Sequence, residues 1–146
     1  MAVPVINDNE DYKFEIGKGV VLKEGTDVTI IANGLCVAES LAAAEMLAAD
    51  GISAKVINMH TIKPLDTELV IESAKATGKI VTVEEHSIIG GLGGAVCECL
   101  AEANPVPVKR VGINDVFGES GSAGQLIKKY GLDAEGIYNQ VKALAK

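Results

Sequence analysis

Tryptophan is absent from this 146-residue chain, and three tyrosines and two phenylalanines are its only aromatics. Stacking of nucleic-acid bases therefore has few platforms. Basic side chains are also in short supply: 13 Lys and Arg against 20 Asp and Glu leave a formal charge of −7. Neutralising a phosphate backbone needs the opposite balance, which excludes nucleic acid as the natural partner. Long hydrophobic runs are missing too. Stretches such as Leu41 to Ala44 fall far short of the roughly 20 residues that cross a bilayer. The opening Met1 to Asp8 has no basic region ahead of a long apolar one, so neither a secretory leader nor a membrane role is expected.

Cysteine is sparse as well. Cys36, Cys97 and Cys99 are an odd number without a C-x-x-C pair, which predicts free thiols in a reducing, cytoplasmic setting. With only His60 and His86 beside them, these thiols do not make a zinc set. What remains is an ordinary globular composition, 48% hydrophobic and 23% charged, with length enough for one domain and a real core.

Along the chain, residues 1–18 read as a lead-in, with an acidic, turn-prone Asn7-Asp8-Asn9-Glu10-Asp11. Residues 19–146 read as the domain. Val20-Val21-Leu22 is a short strand. Val28 to Ala32 is a β-branched run of the kind covered on both faces of a sheet, and Ala54 to Met59, Ile80 to Val83 and Val108 to Ile113 read as further core strands. Between them lie helical stretches: Cys36 to Asp50, stopped by Gly51; Thr67 to Ala76, capped by Asp66 and stopped by Gly78; and about Ala95 to Ala103. A capping box at Ser122 to Gln125 opens a short helix, and Asp133 caps a last one running to about Leu144. Strand and helix alternate, so the expected fold is a Rossmann-like three-layer α/β/α sandwich around a mostly parallel sheet.

Two features stand out chemically. Gly90-Gly91-Leu92-Gly93-Gly94 follows a strand and opens a helix, where backbone N–H groups and the helix dipole can hold an anion. It is not a dinucleotide fingerprint, because Val96 stands where the third glycine belongs, and no Walker sequence is present. Tight helix–sheet packing or docking of a neighbouring domain remains the alternative. His86 follows the third core strand beside Glu84 and Glu85, at the carboxyl end where open α/β sheets place ligands. It reads either as a tuned proton-transfer group or as a hydrogen-bonded structural or interface residue. His60, at another strand end, reads as structural. No nucleophile elbow surrounds Ser40 or Ser73.

The motifs in order resemble a known family. Gly17-Lys18-Gly19, Leu22 to Gly34, Ile62-Lys63-Pro64-Leu65-Asp66, and Val83-Glu84-Glu85-His86 with Gly90-Gly91-Leu92-Gly93 resemble the C-terminal domain of transketolase and its relatives. Those relatives are deoxyxylulose phosphate synthase and the β subunits of 2-oxo acid dehydrogenases. Phe117-Gly118-Glu119-Ser120-Gly121 resembles transketolase in particular. The resemblance implies a five-stranded sheet of order 1-3-2-4-5 with the first strand antiparallel. It also implies that thiamine diphosphate and Mg²⁺ are bound by other domains of the parent enzyme, through a Gly-Asp-Gly…Asn-Asn motif that this sequence lacks. No catalytic, cofactor-binding or metal residue is thus expected here. The implied partners are those thiamine-binding domains or an N-terminal subunit, with the parent a homodimer. Asn33, Gly34, Glu85, His86, Gly90, Gly91 and Gly93 are the candidate interdomain or anion contacts. The competing expectation is a stand-alone module that holds a nucleotide or other anion for regulation.

Overall fold

The computed structural model describes residues 2–6 and 10–145, so the Asn7-Asp8-Asn9 part of the acidic lead-in lies outside the described residues. Strands β1 (Val20–Lys23), β2 (Val28–Ala32), β3 (Ala54–Asn58), β4 (Ile80–Ser87) and β5 (Val108–Ile113) alternate with helices α1 (Cys36–Ala49), α2 (Thr67–Thr77) and α3 (Leu92–Ala103). Helices α4 (Ala123–Lys129) and α5 (Ala134–Ala145) follow. The sheet order is β1-β3-β2-β4-β5, and only β1 runs antiparallel, against β3. Fold class, strand order and the antiparallel first strand all match the expectation.

Period-two alternation sorts the strand residues between two cores. Ile30, Ala32, Val56, Val81 and Val83 share one cluster with Val37, Ala43, Ala44 and Leu47 of α1 and with Ile137 and Val141 of α5. Ile31, Ile57 and Ile80 share the other with Val70 of α2 and Leu92, Val96 and Leu100 of α3. These side chains are essentially inaccessible to water, each large one contributing about 1.5–3 kcal/mol by its removal from solvent. Helices therefore cover both sheet faces.

The local stops work as read. Asp66 accepts the Leu69 N–H at 3.2 Å, and Gly78 ends α2 at φ +69°, a conformation that favours glycine. Asp133 accepts the Gly136 N–H at 2.9 Å, and Glu39 of α1 accepts the Ala134 N–H at 2.8 Å, so α5 is tied to α1 at its start. The ends of α1, α2 and β3 fall one residue from expectation, and two boundaries differ by more. Strand β4 runs on through Glu84, Glu85 and His86 to Ser87, and α3 begins at Leu92, taking in Gly93 and Gly94. Pairing of Ser87 with Ile113 carries β4 on, and a carboxylate described below starts α3 early.

Residues 14–19 lie against the connection that follows β3. Phe14 sits against the His60 ring, centroids 4.5 Å apart, and the Gly17 and Gly19 N–H groups donate to Thr61 Oγ1 and Asp66 Oδ2, each at 2.9 Å. Among the described residues, no helix is long and apolar enough to cross a membrane.

Candidate functional site

Connections α1 and α2 leave the sheet on opposite faces, and the chain reverses direction between neighbouring strands β2 and β4. In an open α/β sheet that reversal opens a crevice at the strands' carboxyl ends. Here the crevice encloses about 460 Å³, lined by Asn33, Gly34, Leu35, His60 and Glu85. A separate groove of about 540 Å³ lies between α2 and α3, and its lining includes Lys63, Thr67, Gly90, Gly91, Gly94 and Glu98. The candidate residues are therefore divided. Asn33, Gly34 and Glu85 share the crevice, Gly90 and Gly91 face the groove, and His86 and Gly93 line neither.

Alternation along β4 explains the division. Glu85 follows Val81 and Val83 to the α1 side, whereas Glu84 and His86 follow Ile80 and Thr82 to the α3 side. Glu84 is only 2% exposed. Its Oε2 accepts the Leu92 N–H at 2.8 Å and its Oε1 the Gly93 N–H at 2.9 Å. These are charge-assisted bonds aimed along the positive end of a helix. The N–H groups that recommended the glycine turn as an anion site thus hold an anion already, supplied by the chain itself. That carboxylate also overrides the poor helix propensity of Gly93-Gly94 and starts α3 early.

The glycines fit around this bond. A Cβ on Gly91 would lie 2.2 Å from Glu84 Oε2 and 2.8 Å from His86 Nδ1, and one on Gly93 would lie 2.8 Å from Arg110 Cγ. Gly94 has open space. His86 is itself exposed, 57% for the side chain, with Nδ1 3.8 Å from Glu84 Oε2, too far for a hydrogen bond. Its Nδ1 lies 2.7 Å from the Ser87 carbonyl. A carbonyl only accepts, so Nδ1 is the donor in this contact, and Nε2 is the ring nitrogen turned to other partners.

The crevice differs in character. Leu35, the N-cap of α1, makes no side-chain cap, and both nitrogens of His60 are buried without a hydrogen-bond partner among the described residues. Cys36, the first residue of α1, is a protonated thiol: burial, followed by Glu85, Glu39 and Glu84, pushes its pKa to about 12. Among the described residues lining the crevice, none carries a thiol or hydroxyl. Among the described residues no three His, Cys, Asp or Glu side chains are grouped to hold a metal ion. With the α3 amides filled as well, the residues present do not fit thiamine diphosphate and Mg²⁺.

Sequence reasoning missed the role of Glu84, grouping it with Glu85 as a modulator of His86, and missed His60 as a wall of the crevice. The alternation Ile80, Thr82, Glu84, His86 was the available signal for the former.

Comparison with known proteins adds the family. The model for the transketolase C-terminal domain matches residues 17–137. A 6-deoxy-6-sulfo-D-fructose transketolase subunit of Clostridium sp. (strain MSTE9) is 54% identical over 130 residues, which cover 89% of this chain and 40% of that protein. A 1-deoxy-D-xylulose-5-phosphate synthase of Heliobacterium modesticaldum is 44% identical over 144 residues, covering 98% of this chain and 22% of the synthase. A solved structure described as a split gene transketolase, inactive β4 tetramer, superimposes with a TM-score of 0.91 at 53% identity, covering 97% of this chain and 46% of the other. The chain thus spans less than half the length of these relatives.

Proposed function

We propose, from the premise that this chain belongs to the transketolase C-terminal domain family, that it is the non-catalytic part of a thiamine-dependent, ketol-transferring enzyme of the cytoplasm. The carboxyl edge of its sheet, with Asn33, Gly34, Glu85, His86 and the turn Gly90, Gly91 and Gly93, is where it docks on the thiamine-binding domains or subunit. Thiamine diphosphate and Mg²⁺ belong to that partner, phosphosugars of pentose phosphate metabolism are the substrates, and the assembled parent is a homodimer.

The observation that carries this reading is the Glu84 carboxylate on the Leu92 and Gly93 amides. An anion-binding module would keep those donors free for its ligand, whereas a docking domain gains from a rigid, internally satisfied turn. The 53%-identical relative forms an inactive β4 tetramer, which supports the expectation that this part is inactive without its partner. His86 then presents Nε2 to a polar group across the interface.

Titration of the purified chain with thiamine diphosphate and Mg²⁺, inorganic phosphate and a nucleotide tests this, alongside an assay for ketose phosphate turnover. No saturable binding and no turnover are expected. Stoichiometric retention of thiamine diphosphate, or turnover by this chain alone, would overturn the reading.

A further inference from the structure

We propose that the loop after β5 is the anchor of the docking surface, inserting Phe117 into an apolar pocket on the segment that precedes the matched region in the longer relatives. This rests on the docking reading above. Phe117 is 96% exposed, the extreme among the large apolar side chains described, and a fully solvated phenylalanine held on a fixed loop is an interface signature.

The loop is held at both ends. Asp115 donates its N–H to the Ile113 carbonyl at 2.9 Å and takes φ +52°, turning the chain out of β5. Glu119 pairs with Lys129 of α4, and the Ser122–Gln125 capping box fixes the far end. Ile89 and Val116 are 59% and 55% exposed. Ile89 is carried to the same corner because the Ile88 N–H donates to the Ile113 carbonyl at 3.0 Å and Arg110 Nη1 donates to the Ile88 carbonyl at 2.8 Å.

The occupant follows from where the chain enters. Val20 of β1 pairs with Asn58 at the carboxyl end of β3, so the lead-in reaches the domain across this same edge, laying Phe14 on His60. The matched region is the C-terminal domain of the family and covers only 40% of the Clostridium subunit. The remainder of such a chain therefore arrives at this edge. Five of the large apolar residues exposed among those described, Phe14, Ile16, Ile89, Val116 and Phe117, stand there. None of the residues forming the turns of the opposite edge, Gly25–Thr26, Ile52–Ser53, Lys79 and Pro105–Pro107, is in that exposed apolar set.

The test uses the 146-residue chain and, as probe, the separately expressed part of the Clostridium subunit that precedes its matched region, with binding read by fluorescence anisotropy. The unaltered chain should bind, Phe117→Ser should weaken binding about 30-fold or more, as loss of an interface anchor does, and Met46→Ser on the exposed side of α1 should leave it unchanged. Thermal melting of Phe117→Ser alone should match the unaltered chain, which shows that the loss is not unfolding. Equal affinities for the unaltered chain and Phe117→Ser would overturn the anchor while leaving docking intact. No binding by the unaltered chain would overturn the docking reading itself.

Discussion

Two strand-to-helix turns meet at the reversal of the sheet, and they are built on opposite plans. The β4–α3 turn is rich in glycine, and its amides are closed by Glu84 from the strand before it. The β2–α1 turn has one glycine, Gly34, no side-chain cap and a crevice beside it. The turn with the more suggestive sequence is the one already occupied. Glycine content reports how closely other atoms approach the backbone; it does not report whether those atoms come from a ligand or from the chain.

The largest effect should come from emptying the closed turn. Glu84→Ala strands two buried N–H groups, at about 1–3 kcal/mol apiece, so a loss of about 3 kcal/mol or more in urea denaturation is expected. The variant's turn then becomes what the sequence suggested, a free helix N-terminus. Sulfate should therefore raise the melting temperature of Glu84→Ala more than that of the unaltered chain. A loss below about 1 kcal/mol, or no difference in the response to sulfate, would mean that the two turns are not contrasted as described.

Next in size is a paired substitution. In Gly91→Ala the new Cβ meets Glu84 Oε2 at 2.2 Å, and that oxygen cannot retreat without breaking its bond to Leu92, so about 2–3 kcal/mol should be lost. In Gly34→Ala the Cβ meets nothing within 4 Å, and only φ +56° is unfavourable, which costs about 1–2 kcal/mol. The closed turn should thus be the more sensitive; equal losses would break the comparison.

How far these turns were legible depends on the range of the interactions that build them. Strand β2 was readable to the residue, because five consecutive β-branched or apolar residues have few other uses, and β5 was readable from the Pro105 and Pro107 stops before it. The stops of α1 and α2 were readable from Gly51 and Gly78, and the start of α2 from Asp66, since those caps act within a few residues. The start of α3 was not, because its cap lies eight residues back in a strand, and propensity alone argues against a helix through Gly93-Gly94. The candidate residues were legible as residents of one sheet edge but not as members of two clefts. That separation depends on which face each β4 residue takes, and thus on the register of a strand read as ending at Val83.

A smaller effect is expected at His86. Its side chain is largely solvated and touches the closed turn only at its edge, so His86→Ala should stay within about 0.5 kcal/mol of the unaltered chain in denaturation. Against the Clostridium probe it should lose about fivefold in affinity, the worth of one hydrogen bond at Nε2. A large stability loss would make His86 part of the closed turn instead of the surface beside it.

The last expectation is an effect of nearly nothing, and it bears on the open turn. Cys36 stands at the first position of α1, and an uncapped helix N-terminus ordinarily lowers a thiol's pKa and makes it reactive. Here burial dominates, reinforced by Glu85, Glu39 and Glu84, and the pKa rises to about 12. The sign is that of a group kept neutral, so at pH about 8 only about one thiol in ten thousand is thiolate. Iodoacetamide should therefore leave Cys36 unmodified in the folded chain at that pH while labelling the half-buried Cys97, with mass spectrometry of the digest as the readout. Rapid labelling of Cys36 would mean that the helix end outweighs the carboxylates, and the open turn would then be a reactive site in its own right.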